Sequence, residues 1–186
     1  MTGESLVSVA DVMDRLWRLG AWESQQTHES LLKYLLEESY ELIDAVRSGD
    51  TAHIREELGD LLLQVLFHAR IAEAAGEFTV DDVAAGLESK LRHRSPHLDA
   101  GHEVTVAEQE AAWESRKASE KTRDSILDGI AWELPALALA EKVVERCEAA
   151  GIDVPPELVG LPSELEVRAR IIEFAERVRM SEACRH

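Results

Sequence analysis

The sequence predicts an all-α protein built as a helical bundle, and three observations carry that expectation. Ala, Leu and Glu dominate, while only five prolines and ten glycines interrupt 186 residues. Apolar residues recur at three- and four-residue spacing instead of alternating. The breaks between these segments coincide with helix-start signals such as Thr105-Val106-Ala107-Glu108. The length suits one domain, or one domain with a small appendage, and allows a real hydrophobic core. With 45% hydrophobic residues the chain is not of the disordered class, despite 31% charged residues.

Taken in order, residues 6–19 carry helix-like apolar spacing, with Gly20 placed to stop the helix. Residues 20–27 read as a connection that ends on Thr27, an N-cap for a helix over about residues 28–47. Leu31, Leu35, Ser39, Leu42 and Val46 form its expected buried stripe, and Ser48-Gly49 ends it. The following helix spans about residues 51–75. Between Leu61 and Phe67 it is apolar on every face except Gln64, which predicts a place at the bundle centre or in a subunit interface. Gly59 costs that helix about 1 kcal/mol relative to Ala, and close approach of a neighbouring helix or a ligand would explain it.

Thr79 to Asp82 resembles a capping sequence for a shorter helix that ends at Ser95-Pro96. Residues 98–104 are expected to be a loop, followed by the Thr105 helix through Trp113 towards Lys117. Beyond an Asp128-Gly129 turn come an amphipathic helix over residues 134–150 and a proline-containing linker over 151–162. Ser163 caps a last helix to about residue 180.

The net charge of −17 argues against nonspecific binding to nucleic acid or to anionic membranes. An anionic substrate would require a metal or a local group of Lys and Arg. Cys147 and Cys184 lack metal-ligand spacing and fit a reducing compartment. No apolar run approaches the ~18–20 residues of a membrane span, and the N-terminus lacks the basic start and apolar stretch of a signal peptide. A soluble cytoplasmic protein is expected. No Gly-rich phosphate loop or Gly-x-Ser-x-Gly elbow is present.

The chemistry-bearing pattern lies in residues 35–67. Glu37, Glu38 and Glu41 stand on one predicted helix, Glu57 and Asp60 on the next. Acids make up 37 of 186 residues, so three at fixed offsets arise by chance roughly once or twice in such a chain. Spacing alone is therefore compatible with a solvated acidic face. Two features point further. The acids border apolar stripes, and the two i, i+3 pairs fall on helices joined by a short turn, so they can converge on one four-carboxylate cavity. On a helical wheel Glu38 lies at the edge of the buried stripe, Glu41 farther round and Glu37 farther still. An all-oxygen site suits Mg²⁺ or Mn²⁺, and no histidine follows a Glu by three residues, as redox-iron bundles require. His28, His53 and His68 read as packing or surface residues, and Trp22 as core in preference to a stacking platform.

These residues resemble those of the MazG nucleoside triphosphate pyrophosphohydrolases. The resemblance rests on Trp22-Glu23-Ser24-Gln25-Gln26-Thr27, Tyr34 to Glu41, Glu57 to Val65 with Phe67-His68, Lys90-Leu91, Pro96-His97 and Trp113-Glu114-x-x-Lys117, in that order. It covers about residues 12–117. Ser125 to Ile130 and Leu134-Pro135-Ala136-Leu137 are similar to the linker that leads to a second copy in two-domain members. The resemblance implies an antiparallel helical bundle completed by oligomerisation, as a homodimer or homotetramer. It further implies Mg²⁺-dependent cleavage of (d)NTPs to (d)NMP and pyrophosphate in nucleotide-pool house-cleaning.

Carried over by position, Glu38, Glu41, Glu57 and Asp60 are the implied metal ligands. Glu37 or Glu38 is implied to orient or deprotonate the attacking water, while Lys90, Arg94 and Lys117 reach the phosphates. Trp22, Gln25, Gln26 and His28 are candidate lining residues for the nucleoside. Gly20-Ala21 departs from the usual Cys-Pro, and Arg92-His93-Arg94-Ser95 from the usual Arg-Arg-His run. The acidic motif of a second copy is missing beyond Gly151. The expected division is a catalytic domain over residues 1–120 and a helical extension over 121–186, a linker plus a degenerate remnant. The competing expectation is a catalytically inactive acidic interaction or regulatory module.

Overall fold

The computed structural model describes residues 3–100, 104–120 and 125–183. Among them there is no strand, and helices follow one another along the chain. The chain divides into two compact units, Met1–Arg116 and Lys117–His186.

The first unit is organised by α1 (Glu4–Leu19), α2 (His28–Ser48), α3 (Thr51–Ala74) and α4 (Val80–Arg94). A single 3₁₀ turn, Glu23–Gln25, links α1 to α2. Thr27 caps α2 as its sequence predicts, accepting from the Ser30 N–H while the Ser30 hydroxyl accepts from the Thr27 N–H. Gly49 then turns the chain with φ of 74°, a left-handed conformation that glycine adopts without Cβ strain. Asp50 accepts from the Ala52 and His53 N–H groups and starts α3. With so short a connection, α2 and α3 run antiparallel and share the main helix–helix interface of the unit.

Met13, Leu31, Leu66 and Phe67 form the buried core, with Val9, Tyr34, Leu62, Leu63 and Ile71 packed around it. Two expectations about these helices need correction. The buried stripe of α2 closes on Ala45, which is fully buried, and Val46 is 57% exposed. A small drift in helix rotation decides between adjacent positions. Nor does a neighbour approach Gly59, since a Cβ built there meets open space within this chain.

The apolar block of α3 is only partly covered. Leu66 and Phe67 are buried, but Val65 is 45% exposed and Leu58, one turn before the block, 52%. Val65 and Leu62 line an open groove of about 630 Å³ with Leu6 and Val7 of α1 and Val83 and Leu87 of α4.

Thr79 and Asp82 form the reciprocal cap of α4. The expected loop after it begins instead with a single helical turn, α5 (His97–Ala100), and residues 101–103 lie outside the described set. Then α6 (Val106–Ser119) opens on the Thr105–Glu108 capping box.

In the second unit, α7 (Ala136–Ala149), a 3₁₀ turn at Pro156–Leu158 and α8 (Glu164–Ala183) follow the Asp128-Gly129 turn. Arg146 donates to the carbonyls of Ile126 and Asp128 at 2.6 and 2.9 Å, tying α7 to that turn around buried Ile130. Ser163 and Glu166 cap α8 reciprocally. Cys184 lies outside the described residues.

Candidate active site

The α2–α3 hairpin carries acids on both inward-facing sides, and the short Gly49 turn fixes their register. Carboxylate oxygens of Glu38, Glu41 and Glu57 all lie within 4.8 Å of one another. Glu57 is buried, with 6% of its surface exposed, whereas Glu38 is partly buried and Glu41 exposed. Asp60, one turn on from Glu57, is partly buried and stands close enough to act on Glu38 electrostatically. Glu37 points to the exposed side of α2, as the wheel predicts.

Burial raises the Glu38 carboxyl above its ordinary range, and the charges of Asp60, Glu41 and Glu57 push it further in the same direction. Close approach of the Glu41 carboxyl acts in the same direction. Such a cluster is costly without a cation or protons to relieve it.

His53 was expected to be a packing or surface residue. Its Nε2 meets Glu57 Oε1 at 2.8 Å, one turn earlier on α3. Glu57 Oε2, the other oxygen, is buried with no hydrogen-bond partner. A buried carboxylate with one oxygen unsatisfied, gathered with two more carboxylates, fits a hard divalent cation, which takes oxygen ligands. The i, i+4 spacing of His53 and Glu57 is the sequence signal for this pair, since it sets both side chains on one face of α3.

At the other end of the hairpin, the 3₁₀ turn places Trp22 at the edge of the core. Its ring meets Tyr34 and Phe67 edge-on, with centroids 6.2 and 6.1 Å away, yet remains half exposed. Gln26 holds this connection in shape: its amide donates to the Trp22 carbonyl at 2.9 Å and accepts from the Ser30 hydroxyl at 2.8 Å. The Gln25 amide donates likewise to the Ala21 carbonyl.

The basic residues lie on other elements. Lys90 and Arg94 occupy the last turns of α4, where cationic side chains favour the helix C-terminus. Arg94 lies over the Trp113 ring at 5.0 Å, and Arg116 donates to the His93 carbonyl at 2.8 Å, so α6 is fastened to the end of α4. Lys117 is exposed and belongs to the second unit. The structure therefore gathers Glu38, Glu41 and Glu57 with Asp60 beside them.

A model of the MazG nucleotide pyrophosphohydrolase domain matches residues 26–99, which contain all of these acids. A nucleoside triphosphate pyrophosphohydrolase of Mycobacterium tuberculosis is 49% identical over 97% of this chain and 59% of its own length. An enzyme of the same description from Mycolicibacterium smegmatis is 50% identical over 97% of this chain and 60% of its own length. The chain thus spans about three fifths of these two curated relatives. A 26.1 kDa protein of Streptomyces cacaoi is 50% identical over 94% of this chain and 72% of its own length. The crystal structure of a mazG-related protein from Thermotoga maritima aligns with a TM-score of 0.52 at 29% identity, over 58% of this chain and 95% of that one. Among the described residues no helix is long and apolar enough to cross a membrane.

Proposed function

Because the chain belongs to the MazG nucleotide pyrophosphohydrolase family, we propose that it hydrolyses nucleoside triphosphates between the α- and β-phosphates. The products are a (d)NMP and pyrophosphate, and the role is house-cleaning of ordinary or damaged nucleotides in the cytoplasm. The observation that carries this reading is the buried Glu57 carboxylate, with one oxygen unpartnered, facing Glu38 and Glu41.

Glu38, Glu41, Glu57 and Asp60 would hold Mg²⁺, with Mn²⁺ as a substitute, because all their donor atoms are oxygens. When bound, such ions offset the triphosphate charge and lower the pKa of a coordinated water. His53 Nε2 holds Glu57 through its Oε1, which orients the carboxylate. Glu38, from within the cluster, or Glu37, from the exposed side of α2, would orient the attacking water and take its proton. The water oxygen bonds to the α-phosphorus, the bond from that phosphorus to the bridging oxygen breaks, and pyrophosphate leaves with the electron pair. Lys90 and Arg94 supply the positive charge that the leaving pyrophosphate needs in a chain of net charge −17.

The open apolar groove along α1, α3 and α4 supports assembly as a homodimer or homotetramer, since a second copy would cover Val65 and Leu87. The test is pyrophosphate release from mixed dNTPs with and without Mg²⁺, in the native chain and in Glu41→Gln and Asp60→Asn. Both variants are expected to keep their helicity and to lose at least about a hundredfold in turnover. Unchanged turnover in either one would remove the carboxylate cluster from the mechanism.

A further inference from the structure

The polar atoms that α3 leaves unsatisfied do not stop at the carboxylates. Gln64 is 4% exposed with Oε1 unpartnered, and the buried Nε2 of His68 is unpartnered as well. At 100° per residue, Glu57, Gln64 and His68 lie within about 20° of one line along the helix. With a 1.5 Å rise, Gln64 stands about 6 Å beyond Asp60 and His68 about 12 Å beyond it. That order matches a nucleotide laid along the helix, with the phosphates at the acids, the sugar opposite Gln64 and the base opposite His68. Trp22, edge-on to Phe67 and half exposed, marks the same end as the aromatic one.

His68 is paired in an unusual way. Its Nδ1 lies 2.7 Å from the Nδ1 of His28, forty residues away in sequence, and the rings stack 3° from parallel. Two nitrogens at that distance share one proton. Burial, and then the neighbouring His28, hold the His68 imidazole below its usual pKa, so it is neutral near pH 7. A neutral imidazole has one donor and one acceptor nitrogen. If His28 donates, His68 must carry its own proton on Nε2 and offers a donor there. If His68 donates to His28, its Nε2 is an acceptor.

We propose that His28, His68 and Gln64 form the nucleoside-reading end of the site, in which His28 sets whether His68 Nε2 donates to or accepts from the bound base. The inference rests on the nucleotide reading given above and adds three specificity-determining residues, of which His28 acts through His68. It predicts that the native protein discriminates weakly between a base edge bearing a carbonyl and one bearing an amino group. The proton shared by the two rings can move to suit either.

The test is the ratio of dUTP to dCTP, whose bases differ only in the 4-carbonyl with its N3 proton against the 4-amino group. It is read both as kcat/KM for pyrophosphate release and as binding affinity by calorimetry, in the presence of Mg²⁺. His28→Lys offers only a donor, which forces His68 to present its Nε2 proton, and should shift the ratio about tenfold towards dUTP. His28→Asp offers only an acceptor, and His68→Leu removes the reading atom. The ratio in His28→Asp should move away from that of His28→Lys, and His68→Leu should raise KM for both nucleotides with kcat less affected. Melting temperatures of all three variants separate loss of reading from loss of fold, since a purely structural pair would lower stability without moving the ratio. An unmoved ratio in both His28 variants overturns this inference while leaving hydrolysis intact. A moving binding ratio without any pyrophosphate release would instead overturn the hydrolytic reading and keep this one.

Discussion

Replacing Glu57 by Gln is expected to stabilise the cation-free protein and to abolish its response to Mg²⁺. Glu57 is buried and within 4.8 Å of carboxylate oxygens of Glu38 and Glu41. At an effective dielectric constant of about 20, a like-charge pair at that distance costs about 3 kcal/mol. Glu41 is exposed, so its share shrinks to under about 1 kcal/mol by solvent screening. Part of the Glu38 repulsion is already relieved by its raised proton affinity. A net gain of about 1–2 kcal/mol remains, because glutamine fills the same volume and keeps a hydrogen bond to His53. In a chain of 186 residues that raises Tm by roughly 3–6 °C. Mg²⁺ at a hundredfold excess over its Kd contributes about 2.7 kcal/mol to the native protein, or roughly 5–10 °C. The two melting curves should therefore cross: the variant melts higher in chelator, the native protein higher in Mg²⁺. Scanning calorimetry in chelator and in millimolar Mg²⁺ measures all four values. If the variant melts lower in chelator and gains as much from Mg²⁺ as the native protein, Glu57 is a structural hydrogen-bonding residue and the argument from buried charge is wrong.

The other expectations come from single contacts. His53→Ala should weaken Mg²⁺ binding about 10- to 100-fold with little change in helix content, measured by titration calorimetry, because it removes the group that orients Glu57. Gly49→Ala should cost about 1–2 kcal/mol, read from denaturant melts, since φ there is 74° and alanine has a Cβ. The Asp82 carboxyl is held below its ordinary range by hydrogen bonds from the Thr79 N–H and then the Thr79 hydroxyl, at 2.9 and 2.8 Å. A lowered folded-state pKa stabilises fully above the unfolded pKa and is lost as pH falls through the folded one. The first turn of α4 should therefore loosen only below the usual Asp range, seen by amide exchange across acid pH, and Thr79→Ala should loosen it at neutral pH.

The caps and breaks of the helices were legible because each depends on residues within four positions of one another. Thr27 with Ser30, Thr79 with Asp82, Thr105 with Glu108 and Ser163 with Glu166 all close local hydrogen bonds, so the chain itself specifies them. The start of α5 was missed because His97 to Ala100 makes only one turn, too short to show a period. The two acidic pairs were legible for a related reason. A three-residue offset fixes their angle on each helix, and the short turn at Gly49 fixes that the helices face each other.

Depth was not legible. The wheel placed Glu38 at the edge of the buried stripe, and it is partly buried, yet the most buried acid is Glu57. How deep a side chain lies depends on how far each helix is rotated and on what packs against it, which no single helix specifies. The same dependence moved the end of the α2 stripe from Val46 to Ala45 and left Gly59 facing open space. It also brought His28 against His68, far from the turn, where the packing of α2 on α3 decides which side chains meet. The sequence by itself determined the long helices, their caps and the two acidic pairs that the turn after α2 sets facing each other. The tertiary structure decided which carboxylate is buried, which oxygen lacks a partner and which histidines meet, because those follow from contacts between residues far apart along the chain.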